Sequence, residues 1–421
     1  MQKVCITTLG CDKNTCDSEQ LAAELRAKGH ILVATDADAD VIIINTCSFI
    51  ESARREAIKV IKSKFKYKPR AKIVVTGCAT VKHRNIIPDG VDEIWEISKS
   101  QTVPKLLSTP RSYAYIKIAD GCDNQCAYCT IPSIRGGYVS RPKQDIIDEV
   151  THFANLGVKE FILVAQDLTK YSSIGNQYNL SGQKHSGQTS GLTNLLQSIS
   201  RVRGVQRIRL HYVYPSGITD DLIDEVAKNP KVCKYLDIPF QHVSRRIVEL
   251  MNRKGSSEEY TALIEKLRNR IPGIAIRSTF MVGFPTETDE EFAELCNFMK
   301  INQLDFVGFF AYSREAGTRA YAMSQISAKT KNMRLRAIQA VQRDVLLHKD
   351  KKLIGKTVKV ICDFHDSMIG YSIARTQYQS PEVDPCVIIH EPMQPGQEYT
   401  VRITDTQEEN LIGVLLKEKT K

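Results

Sequence analysis

Apolar residues along the amino-terminal quarter of the chain fall into two alternating patterns. "KVCITTL", "VIIINT" and "KIVVTG" are dense, β-branched blocks of strand length, whereas in "SEQLAAELRAKG" and "SARREAIKVIKSKF" apolar positions return at helical spacing. Strand-length blocks alternating with helical ones predict parallel strands joined by helical crossovers. Residues 1–101 are therefore expected to form a small parallel α/β domain. The rhythm then breaks at "SQTVPKLLSTPRS", whose Pro and Ser content reads as a connector over residues 102–112.

The alternation resumes with a longer count over residues 113–348. Six strand-like runs, "YAYIKIA", "EFILVAQ", "RIRLHYV", "YLDIPF", "IAIRSTFMVG" and "DFVGFFAY", are separated by helical stretches. Six such units predict a partial (β/α)6 barrel with its reactive groups at the carboxyl ends of the strands. The polar stretch "SSIGNQYNLSGQKHSGQTSG", from Ser172 to Gly191, reads as a mobile surface loop. From 349 to 417, "TVKVICDF", "CVIIH" and "YTVRIT" are split by Pro and Gly without helical period, which predicts a small antiparallel β-barrel. The expected fold class is thus α/β, in three domains.

Composition narrows the function classes. With 42% hydrophobic and 25% charged residues and no long apolar run, no membrane helix is expected. The start "MQKVCITTLG" enters a strand directly, so export is not expected and the cytoplasm is. In that compartment twelve cysteines point to metal ligation rather than to disulfides. The net charge of +10 is spread over 421 residues and is weak support for an acidic partner.

"GCDNQCAYC" places Cys122, Cys126 and Cys129 in a C-x-x-x-C-x-x-C spacing directly after the first strand of the expected barrel. Three thiolates in one short loop can hold three irons of a cubane and leave the fourth open. S-adenosylmethionine can chelate that open iron, and an electron from the cluster can then cleave its sulfonium to a carbon radical. The alternative is a zinc site, which calls for a fourth Cys or His; the following "TIPSIRGGYVSRP" has neither. At this point the sequence resembles the radical S-adenosylmethionine enzymes. The resemblance places Tyr128 near the adenine and Arg277 and Gly283, in "RSTFMVGFPTET", along the cofactor pocket. The alternatives are a packing aromatic and a buried strand.

Cys11, Cys47 and Cys78 each follow one of the first three strand-like runs. Parallel strands end on one edge of a sheet, so these three can converge as a second set of ligands. Otherwise they are ordinary buried cysteines acting as small hydrophobes. "GCDKNTCDSE", "NTCSFIESARREAI" and "TGC" resemble the amino-terminal domain of the methylthiotransferases, radical enzymes that insert sulfur and transfer a methyl group. The similarity spans essentially the whole chain, including a carboxyl-terminal barrel like the family's TRAM domain. It implies that Cys11, Cys47 and Cys78 hold an auxiliary cluster, giving two [4Fe-4S] clusters beside S-adenosyl-L-methionine. The loop from Ser172 to Gly191 and Asp12, where the family often has Pro, depart from its pattern. Cys5, Cys233, Cys296, Cys362 and Cys386 read as core fillers.

Two branches of the family share this architecture. One acts on a tRNA adenosine (MiaB-like), the other on the β-carbon of an aspartate in ribosomal protein S-twelve of the small subunit. Residues 353–416 carry four Lys or Arg and nine Asp or Glu, whereas a domain gripping RNA should present cations to phosphates. The stretches "RLHYVYPSGITDDLIDEVA", "YLDIPFQHVSRRIVELMNR", "YSREAGTRA" and "ARTQYQSPEVD" also resemble the protein-acting branch. His211 and His242 lie in them and are expected to be structural. The resemblance further implies a flavodoxin- or ferredoxin-type electron donor, a monomer, and no requirement for direct nucleic-acid binding. A non-catalytic iron–sulfur or zinc scaffold that binds RNA is the alternative from a different class. Finally, "CDSEQL" is expected to start a helix at Asp17, with Gln20 closing a capping box and Cys16 stapling onto Leu21.

Overall fold

The computed structural model describes residues 1–97, 104–172 and 190–416. Residues 173–189, where the mobile loop is expected, lie outside the described residues, as does the tail from 417.

The amino-terminal domain is a parallel sheet of five strands: β1 (Lys3–Thr8), β2 (Ile31–Leu32), β3 (Val41–Thr46), β4 (Lys72–Gly77) and β5 (Glu93–Ile94), in the order β2-β1-β3-β4-β5. All of β3 is buried, because apolar layers cover both faces: Ile42, Ile44 and Val75 on one side, Val41, Ile43 and Val74 on the other. That double burial is why the strand reads as a continuous apolar run. Helices α1 (Asp12–Ala27) and α2 (Glu51–Lys64) supply Leu25 to one layer and Ile61 to the other.

The central domain is one all-parallel curved sheet of β6 (Tyr113–Lys117), β9 (Glu160–Val164), β10 (Arg207–Leu210), β11 (Val232–Asp237), β12 (Ala275–Val282) and β13 (Phe306–Ala311), paired in that order with β6 and β13 as edges. A short pair, β7 (Ala119–Asp120) with β8 (Val139–Ser140), brackets the cysteine loop. Side chains alternate along each strand. One set, including Ile116, Leu163, Leu210, Leu236 and Phe280, forms the main core with the helices. The other set is strongly polar on the concave side. Glu160 and Arg209, both with no exposed surface, pair at 2.7 Å.

Charges buried in that way need partners, and the flanking domains provide them. Arg375 of the carboxyl-terminal domain reaches Glu160 at 3.2 Å. Tyr113 and Tyr115 each donate to Glu382 at 2.9 Å, and Tyr235 donates to Asp384 at 2.8 Å. That domain is a closed barrel of β14 (Thr357–Asp366), β15 (Tyr371–Arg375), β16 (Val387–Ile389), β17 (Glu398–Gln407) and β18 (Asn410–Leu415), antiparallel except where β16 lies parallel to β18. The preceding helix, Ala328–Lys351, crosses the boundary expected at residue 349.

The start of α1 differs from expectation. Helix α1 begins at Asp12, with Cys11 as its cap residue and the Cys11 carbonyl accepting from the Thr15 N–H at 3.1 Å. Cys16 is therefore inside the helix and not a staple before it. It is buried against Tyr113, Tyr115, Ile162 and Val164 of the barrel. Asp17 does not cap because Lys117, at 2.5 Å, and Arg135, at 2.7 Å, take its carboxylate. Gln20 donates to Glu24, one turn on, rather than closing a capping box. Tertiary ion pairs outcompete the local cap.

Two substitutions separate packing from pairing at this interface. Cys16→Val keeps an apolar group of similar size, gives up only the long sulfur contacts to Lys105 and the Tyr115 carbonyl at 3.7 Å each, and should change stability by less than about 1.5 kcal/mol. Lys105 is buried and bonds Glu19 at 2.6 Å and the Tyr115 carbonyl at 2.6 Å. Lys105→Met leaves Glu19 without its cation and should cost about 3 kcal/mol. Denaturant unfolding of the two variants measures both; equal losses would contradict the assignment.

Candidate active site

Cys47 and Cys78 directly follow β3 and β4, and Cys11 lies three residues beyond the end of β1 as the cap residue of α1, all on one edge of the amino-terminal sheet. Two glycines let them approach. Gly10 has φ +100°, and a Cβ there would lie 2.7 Å from the Cys47 Cβ. Gly77 has φ +95°, and a Cβ there would lie 2.2 Å from Asn45 Oδ1 and 2.5 Å from the Thr46 backbone nitrogen. Only glycine meets both the conformation and the space. Cys11 is exposed, Cys47 half-buried and Cys78 buried. Burial pushes the Cys78 thiol up to about 11, against the opposing pull of Arg135. Burial also raises Cys47, opposed by a hydrogen bond from the Phe49 backbone.

The second set lies on the loop after β7. The loop is anchored where the Ala127 N–H donates to the Met251 carbonyl at 2.9 Å and Ala320 N–H donates to the Ala127 carbonyl at 2.8 Å. N–H groups point at each sulfur. Asn124 N–H donates to Cys122 Sγ at 3.4 Å, Ile131 N–H to Cys129 Sγ at 3.5 Å, and the Arg253 guanidinium to Cys126 Sγ at 3.8 Å. Burial lifts Cys122, and lifts Cys129 to about 12. Donors aimed at three sulfurs suit thiolates better than thiols, so the residues present fit an iron–sulfur cluster. Among the described residues no three His, Cys, Asp or Glu side chains already converge on one point, and this holds for both cysteine sets.

The two sets face each other. Thr130, next to Cys129, donates to the carbonyl of Phe49, two residues beyond Cys47, at 3.3 Å. Helix α3 (Cys78–Lys82) starts at Cys78 itself. From α4 (Ile131–Arg135), Arg135 reaches across to Cys78 Sγ at 3.4 Å.

Of the residues expected along the cofactor pocket, Tyr128 packs with Met281, Phe284 and Tyr312, so the carboxyl end of β12 lies under the cysteine loop. Gly283 is in that turn, with φ +69° and its N–H donating to Glu287; a Cβ there would strike Lys331. Arg277 lies deeper, bonded to Asp237 and Asp384 at 3.1 Å each, which ties the barrel to the carboxyl-terminal domain. His211 is held between Asp12, at 3.3 Å, and Ser380, at 2.7 Å. His242 is held by Glu287 and the Ser244 N–H. Sequence reasoning missed Asn14, Arg135 and Arg253, each of which contacts a cysteine sulfur. The "IRGG" stretch after the cysteine loop held Arg135 without marking it.

Comparison with known proteins places this geometry. The family model described as the radical SAM superfamily matches residues 116–299, uncharacterized protein family UPF0004 matches 3–94, and the TRAM domain matches 354–416. The ribosomal protein uS12 methylthiotransferase RimO of Thermodesulfovibrio yellowstonii is 40% identical over 440 aligned positions, covering 99% of this chain and all of that one. The chain belongs to the RimO family. The RimO of Caldicellulosiruptor saccharolyticus is 38% identical, again over 99% of this chain and 100% of its own. Among solved structures, the radical S-adenosylmethionine methyltransferase TsrM from Kitasatospora setae, with cobalamin and a [4Fe-4S] cluster bound, shares the fold at a TM-score of 0.51 and 16% identity, over 76% of this chain and 77% of that one. Membership of the RimO family makes the chain a radical S-adenosylmethionine methylthiotransferase with S-adenosylmethionine and [4Fe-4S] clusters as its cofactors.

The two kinds of thiol environment are distinguishable in iron-free protein. Iodoacetamide should label exposed Cys11 first, and labelling of Cys78 should rise only as pH climbs toward about 11, where its raised thiol ionises. Cys78 reacting as fast as Cys11 at neutral pH, read by peptide mass spectrometry, would contradict the burial described.

Proposed function

We propose that the chain adds a methylthio group to the β-carbon of an aspartate in ribosomal protein uS12, with Cys122, Cys126 and Cys129 holding one [4Fe-4S] cluster and Cys11, Cys47 and Cys78 holding the other. What carries this reading is the apposition of two three-cysteine sets, bridged by Arg135 and by the Thr130–Phe49 contact, in a chain related to RimO over its full length. When bound, the barrel cluster and S-adenosylmethionine supply the radical that an unactivated C–H bond demands, and the auxiliary cluster supplies sulfur.

The protein's own residues hold those parts in register. Arg253 stacks over the Tyr214 ring at 4.2 Å and donates to both Cys126 Sγ and the Pro239 carbonyl, which fixes the middle of the cysteine loop against the barrel rim. Tyr128 closes the loop over Met281 and Phe284, and this apolar floor excludes water beneath it. In this reading Tyr128 and the Gly283 turn border the S-adenosylmethionine pocket, and Arg277 supports it from below.

The carboxyl-terminal barrel favours a protein over tRNA. One of its four cations, Arg375, is buried against Asp363 and Glu160, which leaves Lys356, Lys359 and Arg402 facing solvent beside Glu398, Asp405, Glu408 and Glu409. Such a surface suits a basic ribosomal protein and lacks the cationic face that RNA binding draws on. A flavodoxin- or ferredoxin-type protein donates the electrons, and the enzyme works as a cytoplasmic monomer. Among the described residues no helix is long and apolar enough to cross a membrane.

Mass spectrometry of uS12 and of tRNA from a strain lacking the gene decides the substrate. The expected result is loss of one methylthio increment from the uS12 aspartate with tRNA unchanged. Loss from tRNA alone would contradict the proposal.

A further inference from the structure

Arg135 belongs to the barrel domain, six residues beyond Cys129 and at the last position of α4. Its side chain is almost fully buried, at 3% exposure, and its guanidinium is shared among four groups. Nη1 donates to Asp17 at 2.7 Å and to Asp120 at 3.2 Å. Nη2 donates to the Asn14 side-chain oxygen at 2.7 Å and to Cys78 Sγ at 3.4 Å. Asp17, Asn14 and Cys78 are all on the amino-terminal domain. A barrel residue rigidly joined to one cysteine loop therefore ends on a sulfur of the opposite set.

We infer that Arg135 is a positioning residue that sets both the separation of the two clusters and the reduction potential of the auxiliary one, through its hydrogen bond to Cys78. The inference rests on Cys78 being an auxiliary-cluster ligand. Asp17 and Asp120 balance the charges of Arg135 and Lys117 together, so what reaches the sulfur is chiefly a directed N–H. Donation to a ligand sulfur withdraws electron density and favours the reduced cluster, which raises its potential. Arginine does this at every physiological pH because it does not deprotonate, and its planar fork serves carboxylate and sulfur at once. Asn14 Oδ1, 3.6 Å from the same sulfur, can only accept. Arg135 holds that amide too, so removing the guanidinium loosens two contacts of Cys78 together.

The test uses full-length protein with Cys122, Cys126 and Cys129 changed to Ala, so that the auxiliary cluster alone reports. Arg135→Gln should retain auxiliary iron and shift the midpoint potential to a more negative value in an EPR-monitored titration. Arg135→Lys, which keeps the charge for Asp17 and Asp120 but not the fork, should shift it less. In protein with all six cysteines, Arg135→Lys should raise deoxyadenosine released per methylthiolated uS12 peptide several-fold, because the radical forms without its acceptor in register. An unchanged potential with full auxiliary iron overturns the inference. Should Arg135→Gln not fold, protein carrying [15N]arginine and native Arg135 provides the second measurement: a hyperfine coupling from arginine nitrogen to the reduced auxiliary cluster is expected, and its absence overturns the inference. Auxiliary iron surviving in Cys78→Ala would instead overturn the ligand assignment.

Discussion

The molecule depends on a buried ionic seam between α1 and the first strands of the barrel. Asp17, Lys117, Arg135 and Asp120 form one cluster of opposite charges, and Glu19, two residues on along α1, forms another with Lys105. All but Asp120 give up most of their hydration, so the seam is stable only as a set, and losing one of the buried members costs about 3–5 kcal/mol. A seam of that kind permits one docking geometry. It holds the edge of the amino-terminal sheet that carries Cys11, Cys47 and Cys78 against the loop that carries Cys122, Cys126 and Cys129. A radical must reach its reaction partner before it reaches anything else, and a rigid join between the two cysteine sets meets that demand.

The same logic governs the other end of the barrel. An open six-stranded barrel has a concave face with too few side chains to fill it, and here that face carries Glu160, Arg209, Tyr235 and Arg277. The carboxyl-terminal domain fills it with Arg375, Glu382 and Asp384, completing pairs that neither domain satisfies alone. Its acidic residues consequently divide in two. Asp363 and Asp384 are structural, while Glu398, Asp405, Glu408 and Glu409 remain at the surface. Charge pairing thus joins the three domains, and Cys16 and Tyr378 add apolar packing against the barrel at the two junctions.

Much of this was legible in the sequence because the informative features were local. Six barrel strands were readable as dense apolar runs, and C-x-x-x-C-x-x-C is a spacing that few other chemistries require. That Cys11, Cys47 and Cys78 share one edge of the sheet followed from each lying near a strand end in a parallel sheet. The start of α1 was misread because Asp17 and Gln20 make a plausible capping box on local grounds, whereas Lys117 and Arg135, about a hundred residues away, claim Asp17. Asn14, Arg135 and Arg253 were not legible for the same reason. A lone polar residue has no period or spacing, and its partner is chosen by tertiary structure.

The central claim is that two cysteine sets, on separate domains, hold separate clusters. Iron and sulfide content of anaerobically prepared protein with Cys11, Cys47 and Cys78 all changed to Ala, beside the complementary variant at Cys122, Cys126 and Cys129, tests it most directly. Each variant should keep about half the iron and sulfide of the unmodified protein. Loss of all iron from either one, or of none from the first, would contradict the account.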